Sequence, residues 1–313
     1  MRVVVTGGAG FIGANLVAAL LDRLEITEVR VVDDFSSGHK ANLAGLAATV
    51  HEGSILEPEL LDAAFAGADA VVHLAALPSV PRSVADPTAS HRVNATGTPP
   101  VLEAARRAGG LHVVAASSSA VCGAGPELPK RESMRPEPLS PYAVDKLAAE
   151  GYLRAYHHCY GLGVLPLRFF NVFGPLQPAD HAYAAVVPAF LTAALAGRPV
   201  TVHGDGGQTR DFVYVGTVAQ VLCTAVLRRV VDPEPVNVAL GTGATLLELI
   251  AELGEVLGRP LDVAHTEPRA GDVRDSVADS TRLRELFPDL APVPLREGLA
   301  GTARWLRTQQ PQP

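Results

Sequence analysis

Two side chains in the stretch SPYAVDK could do acid–base chemistry together, Tyr142 and Lys146. Four residues apart on a helix, a phenol and an ammonium share one face. The helix is well signalled, with Ser140 suited to its N-cap, Pro141 to its first turn and Gly161 to its close. A neighbouring cation favours the phenolate, so a group that normally titrates near ~10 becomes able to take a proton near neutrality. Lysine usage sharpens the point. The chain has three lysines, Lys40, Lys130 and Lys146, and otherwise carries its positive charge on arginine. A planar guanidinium fork would fill this role poorly beside a compact ammonium.

The N-terminal stretch indicates what such a base works with. Arg2 to Val5 read as a short apolar strand, TGGAGFIG (Thr6 to Gly13) as a glycine turn, and the following Ala/Leu-rich run to about Leu24 as a helix. Gly7 permits the tight turn, Gly10 lets backbone approach a pyrophosphate, and Gly13 lets helix pack on strand. The phosphate charge would rest on the open N–H groups at the helix N-terminus. A second strand, Glu28 to Val32, ends at Asp33, about 20 residues after the last glycine, where an acid hydrogen-bonds the adenosine ribose and repels a 2′-phosphate. NAD is therefore expected over NADP.

Together these residues resemble the extended short-chain dehydrogenase/reductase family, and within it the UDP-galactose 4-epimerase-like sugar-nucleotide epimerases. Further segments carry the resemblance: DDFSSG (Asp33 to Gly38), HLAALPSVPRS (His73 to Ser83), SSSAVCG (Ser117 to Gly123), RFFNVFGP (Arg168 to Pro175), HGDGGQTRDFVYV (His203 to Val215) and PRAGD (Pro268 to Asp272). It implies a catalytic set of Ser118, Tyr142 and Lys146. It implies cofactor contacts from Gly7, Gly10, Phe11, Ile12 and Gly13, from Asp33, Asp34, Phe35, Ser36, Ser37 and Gly38, and from Ser54 and Ile55. Leu74, Ala75, Ala76, Asn94, Ser117, Tyr142, Lys146 and Phe169 complete that side. For the substrate it implies Ser79, Val80, Arg82, Ser118, Ser119, Tyr142 and Asn171, then Ala185, Val186, Val187, Thr201, Val202 and His203. Arg210, Arg269, Asp272 and Ser276 would hold the nucleotide and border the sugar. Arginine forks suit the diphosphate. No metal is implied.

The implied reaction is epimerisation at C4 of a nucleotide sugar through a transient 4-keto intermediate. Tyr142 would take the hydroxyl proton as hydride leaves the same carbon. Ser118 would steady the developing carbonyl, and Lys146 would anchor the nicotinamide ribose and lower the phenol's pKa. The 4,6-dehydratases that resemble this chain carry an acid pair directly after the catalytic hydroxyl, where Ser119 and Ala120 stand here. Asn171 suits a neutral sugar. Ser276, four residues after Asp272, is small where an aromatic would restrict the pocket, which points to UDP-N-acetylglucosamine/UDP-N-acetylgalactosamine, with UDP-glucose/UDP-galactose beside them. Ser54, Cys122, and Val215 with Gly216 depart from the family pattern and suggest a modified sugar from a natural-product pathway, or a dehydratase, as the alternative. A non-catalytic NAD-binding regulator is the alternative of another class; the presence of Ser118, Tyr142 and Lys146 together argues against it.

These groups need a scaffold, and the bulk sequence supplies one. Strand-like runs at Ala70 to Leu74, His112 to Ala116, Val164 to Leu167 and Val236 to Leu240 alternate with helices, as in a Rossmann-type, doubly wound parallel sheet. The 313 residues leave room for an NAD-binding domain, 1–170 and about 209–244, and a smaller discontinuous substrate domain, about 171–208 and 245–313. Pro99 and Pro100 should break a helix expected from about Pro87 to Ala108. A net charge of −7 without basic clusters argues against nucleic acid or a membrane face. Cys122, Cys159 and Cys223 are too few and scattered for a disulfide framework. With no room for a signal peptide before the first strand, a cytoplasmic enzyme is expected, and the family resemblance implies a homodimer.

Overall fold

The computed structural model describes residues 1–123, 125–179, 185–267 and 274–309. Its strands are β1 (Arg2–Thr6), β2 (Glu28–Asp33), β3 (Thr49–Glu52), β4 (Ala70–His73), β5 (His112–Ser118), β6 (Val164–Phe169) and β7 (Asn171–Phe173). They continue as β8 (Val200–His203), β9 (Thr209–Tyr214), β10 (Val236–Val238), β11 (Gly243–Thr245), β12 (Val263–Thr266) and β13 (Asp275–Ser276). The helices are α1 (Phe11–Leu21), α2 (Pro58–Phe65), α3 (Val80–Ala85), α4 (Pro87–Asn94), α5 (Thr98–Arg107) and α6 (Pro141–Tyr160). After them come α7 (Val186–Leu195), α8 (Val215–Leu227), α9 (Leu246–Leu257), α10 (Thr281–Leu286) and α11 (Leu295–Gln309).

Valine-rich runs that bury both faces make the central sheet. Among the described residues seven strands pair in the order β10-β6-β5-β4-β1-β2-β3, all parallel. The strand order reverses beside β1, the switch point where such sheets open a crevice at the carboxyl ends of their strands. Leu16, Val17 and Leu20 of α1 and Val218, Val221 and Leu222 of α8 fill one face. Leu61 and Phe65 of α2, Val101 and Leu102 of α5 and Leu153 of α6 fill the other. Each fully buried aliphatic side chain of this kind contributes about 1.5–3 kcal/mol.

After β6 the chain leaves this sheet. The short β7 pairs with β9, which also carries β11 and β13, while β8 pairs with β12. A separate core of Phe173, Phe190, Leu191, Val202, Phe212, Leu249 and Leu299 supports these strands. β10 then returns to the edge of the large sheet, beside β6.

The expected break near Pro99 and Pro100 is present, one step earlier than the prolines themselves. α4 stops at Asn94 and α5 starts at Thr98. Both prolines therefore occupy the first turn of α5, where a missing N–H leaves no intrahelical bond unmade. Gly97 makes the corner possible, since a Cβ there would lie 2.3 Å from Val93 O. Among the described residues no helix is long and apolar enough to cross a membrane.

Candidate active site

The carboxyl ends of β1, β2, β4, β5 and β6 line one edge of the large sheet and carry the predicted residues. At β1 the glycine turn is built tightly on one side and open on another. Gly7 has φ +71°, and a Cβ there would sit 2.6 Å from Ala75 N; on Gly13 it would sit 2.1 Å from Gly7 O. Gly10 differs, since its Cβ would meet only Gly7 O at 3.3 Å. Gly10 is also the N-cap of α1, and no side chain caps the helix. The first N–H groups of Phe11, Ile12 and Gly13 thus remain available to an anion.

Asp33, at the end of β2, is buried to 8% exposure and already holds two backbone donors, Ala9 N at 2.8 Å and Phe35 N at 2.9 Å. Burial pushes its carboxyl up, against the pull of those two N–H groups. The carboxylate thereby ties the glycine turn to the loop of Phe35, whose φ is +56°. Two of its four lone-pair positions are left for ribose hydroxyls. Asp34 caps its own turn through Ser36 N at 2.9 Å, Ser36 and Ser37 are exposed, and a Cβ on Gly38 would meet Ala9. Ser54 accepts from Leu56 N and donates its own N–H to Glu57, beside the buried Ile55. Asn94 is buried and braces Leu77 through both its amide atoms, at 2.8 and 3.1 Å.

α6 forms as expected, with Ser140 Oγ accepting from Ala143 N at 3.2 Å and Gly161 closing the helix at φ +68°. Its first turns carry Tyr142 and Lys146 against the end of β5. The Tyr142 hydroxyl is set towards Ser118, whose side chain favours the phenolate. Lys146 is buried and donates to Ala116 O at 3.0 Å, with its Nζ 6.0 Å from the centre of the Tyr142 ring. The expected lowering of the phenol is not found in the protein by itself. Burial pushes Tyr142 up, and the Ser118 bond offsets this only in part. Burial also pushes Lys146 down to about 8, although Asp145 and Glu150 favour its charge. Desolvation of the phenolate sets the direction of the Tyr142 shift.

The substrate candidates fall into two groups. Ser79, Val80 and Arg82 lie where β4 leads into α3; Ser79 caps that helix through Arg82 N and has φ +107°, a strained conformation for a non-glycine residue. Ser119 follows Ser118 in a short 3₁₀ turn. Phe169 ends β6, and Asn171 begins β7, donating to Asp211 O at 3.3 Å. Arg210 and Ser276 are direct partners in the β9–β13 ladder, so these two are brought together. Arg210 also donates to Thr209 O and Arg274 O. Ala185 caps α7, Val186 and Val187 begin it, and Val187 belongs to the second core. On β8, Thr201 is exposed, Val202 is buried and His203 binds the Thr266 hydroxyl at 2.8 Å. Arg269 and Asp272 lie outside the described residues.

Three features were missed in the sequence. His73, buried at the end of β4, binds the Thr6 hydroxyl at 2.7 Å and is pushed down to about 3 by burial, with the Lys146 charge adding to it. Glu150 forms a buried bidentate pair with Arg168 at 2.8 Å and also receives the Ser117 hydroxyl. Asp211 accepts backbone N–H bonds from Leu240, Gly241 and Ala278, joining β9 to the end of β10. Glu150 had a signal, its place four residues after Lys146 on one helix face.

Residues 3–239 match the NAD dependent epimerase/dehydratase family. This chain belongs to that family. It is 38% identical over 320 residues to a UDP-glucose 4-epimerase of Mycolicibacterium smegmatis, covering 99% of each chain. A UDP-N-acetylglucosamine 4-epimerase from Methanobrevibacter ruminantium, solved with UDP-N-acetylmuramic acid, superposes with a TM-score of 0.93 at 37% identity and 99% coverage of both chains. The UDP-glucose 4-epimerase of Thermus thermophilus, solved with NAD, gives 0.86 at 37% identity, covering 98% of this chain and 99% of that one. An NAD-dependent epimerase/dehydratase is thus an enzyme on a Rossmann-type sheet, and its cofactor is NAD. The residues fit that cofactor: Gly10 leaves the helix end open, and Asp33 sets a carboxylate beside it.

Proposed function

We propose that this enzyme interconverts the C4 epimers of a UDP-sugar by oxidation to a 4-keto sugar and reduction on the opposite face. Tyr142 takes the C4 hydroxyl proton on oxidation and returns it on reduction. Ser118 hydrogen-bonds the same oxygen and steadies it as it becomes a carbonyl. Lys146 holds the cofactor ribose and adds positive charge beside the phenol. When bound, NAD supplies a hydride acceptor, then a donor, and a positive ring that draws the buried phenol down. The hydride leaves C4 and returns to its opposite face while the proton leaves and returns to the oxygen on C4, so no water is consumed and the cofactor is unchanged.

The observation that carries this reading is the half-buried Tyr142 set towards Ser118, with the buried Lys146 one turn on, at the sheet edge that also holds the open face of Gly10. Ser119 and Ala120 follow Ser118 with no acid between them and Gly123, which favours epimerisation over dehydration. Arg210 and Ser276, paired in one ladder, suit a diphosphate grip beside a small side chain facing the sugar. N-acetylated UDP-sugars belong in it, with UDP-glucose and UDP-galactose beside them; Arg269 and Asp272 complete the nucleotide grip. In this reading 1–170 and 209–244 hold NAD, and 171–208 with 245–313 hold the sugar nucleotide. Exposed Val84, Val144 and Tyr152 on α3 and α6 support a homodimer.

The test is direct. Purified protein is assayed for bound NAD, then incubated with UDP-N-acetylglucosamine and separately with UDP-glucose, and the C4 configuration of the product is read by NMR. C4 inversion without net NADH supports the proposal. A 4-keto-6-deoxy product, net NADH, or no turnover of either sugar refutes it.

A further inference from the structure

The pair of Glu150 and Arg168 lies beneath the catalytic residues and touches none of the reacting atoms. Arg168 Nε and Nη2 reach the two Glu150 oxygens at 2.8 Å each, and the side chains are 3% and 5% exposed. Ser117 Oγ donates to Glu150 Oε1 at 2.5 Å. Ser117 and Arg168 are also register partners across β5 and β6. One carboxylate thus ties α6 to β5 and β6 between the two points that matter. On β5, Ser117 separates Ser118 from Ala116, whose carbonyl receives Lys146. On α6, Glu150 stands one turn after Lys146, on the same face.

We propose that Glu150 is a positioning residue for this enzyme, holding the Lys146 ammonium and the Ser118 hydroxyl in register. Its charge also favours the ammonium, after the larger effect of Asp145. The proposal rests on the epimerase reading. An ion pair this deep is weak evidence for stability, since an apolar pair of similar volume often serves as well. Its place beside the catalytic lysine gives it a use that an apolar pair would lack.

The charged and titratable groups around Lys146 limit what else could do this. On α6 they are Tyr142, Asp145 and Glu150. From β4 comes His73, neutral near pH 7. Arg168 of β6 and Cys122 of the turn after β5, whose thiol burial pushes up, act on Glu150's side of the site. From α4, His91 reaches Asp145 at 3.0 Å, and Ser90 donates to its other oxygen at 2.7 Å. Arg82 of α3 is exposed, and Glu103 of α5 is committed to Arg106 and Tyr156. Asp145 and Glu150 are the two groups whose charge favours the ammonium. Only Glu150 also bonds to β5.

Three lysines in the chain make the test selective. Protein labelled at lysine is titrated by NMR, and Lys146 is assigned by its loss in Lys146→Met. In the wild type it should titrate near 8. Glu150→Gln should lower that midpoint by about one pH unit and lower kcat about tenfold, with KM for the sugar nucleotide changed less than about threefold. Glu150→Leu/Arg168→Met, which removes one buried charge of each sign, should move the midpoint less than Glu150→Gln but lower kcat likewise, and it keeps the fold measurable if the first variant unfolds. Glu150→Asp keeps the charge and should restore most of the midpoint. An unmoved midpoint in folded Glu150→Gln, a wild-type kcat in the folded double variant, or an equal drop in Glu150→Asp, overturns the proposal. Wild-type turnover is scored separately, so failure of the epimerase reading is distinguishable from failure of this one.

Discussion

Tyr142→Phe removes one oxygen and keeps the ring, and its consequences for chemistry and for stability should separate widely. Loss of a positioned general acid–base typically costs 10²–10⁴-fold, or about 3–5 kcal/mol of barrier. Stability should change far less. The hydroxyl gives up at most its interaction with Ser118, a net value of about 1 kcal/mol for one hydrogen bond. Ser118 Oγ is not orphaned, because it still accepts from Ala120 N at 3.2 Å. Removing a buried phenolic oxygen also relieves a desolvation penalty, so the net effect falls below that figure. For a chain of this size the melting temperature should then move by no more than about 4 °C. NAD should still be held, since Gly10, the α1 amides and Asp33 are untouched. Thermal unfolding, NAD content and kcat on a UDP-sugar measure the three quantities in one preparation. A kcat within about threefold of wild type would remove Tyr142 from the chemistry. A collapse of the fold would show that the hydroxyl is structural.

Asp33→Asn should weaken NAD binding about tenfold and narrow the preference over NADP, because one backbone donor loses its acceptor and the charge that repels a 2′-phosphate is gone; a wild-type preference for NADP in direct titration refutes the assignment. Ser276→Tyr should reduce kcat/KM for N-acetylated UDP-sugars at least about tenfold more than for UDP-glucose, each tenfold being about 1.4 kcal/mol of transition-state binding; an equal loss on both sugars removes Ser276 as a gate. His73 should make stability fall with acid. Its folded pKa of about 3 lies below the unfolded value of 6.5, so its contribution is complete above pH 6.5 and is lost as pH falls towards 3. Denaturant titrations at pH 7.5 and 5 should show wild type losing about 2 kcal/mol more than His73→Gln, and equal losses would refute this.

The large sheet was legible because its evidence is local. Valine runs, the glycine turn and the capped helix Pro141–Tyr160 each declare themselves within a few residues. β3 was not, since Thr49–Glu52 is an edge strand with three exposed residues and no buried run to mark it. The proline break was legible in kind but not in position, because the corner depends on Gly97 meeting Ile55 across the sheet's end. Tyr142, Lys146 and Ser118 were brought together as expected. The direction of the phenol's shift was not foreseen. Spacing along a helix reports a neighbouring charge, whereas desolvation depends on every element packed above it. The partners of Asp33, Asn94 and Ser117 were hidden for the same reason. Ser117 reads as a contact for a ligand, yet its hydroxyl is spent on Glu150, 33 residues away.

The site also divides by rigidity. Ser118, Tyr142 and Lys146 rest on a long helix and a central strand, with a buried ion pair locking the two together. Arg210 and Ser276 rest on a different support, a ladder whose outer strand β13 has two residues. Only one residue of β13, Asp275, adds a side-chain anchor, through Thr209 at 2.6 Å. On the proposed function, substitutions there would change the wall of the sugar pocket while leaving the large sheet and its core untouched. Substitutions at Glu150 or Arg168 do the reverse. A chain built this way can be altered in the sugar it accepts without rebuilding its chemistry, which is why the Ser276 and Tyr142 variants should fail in different ways.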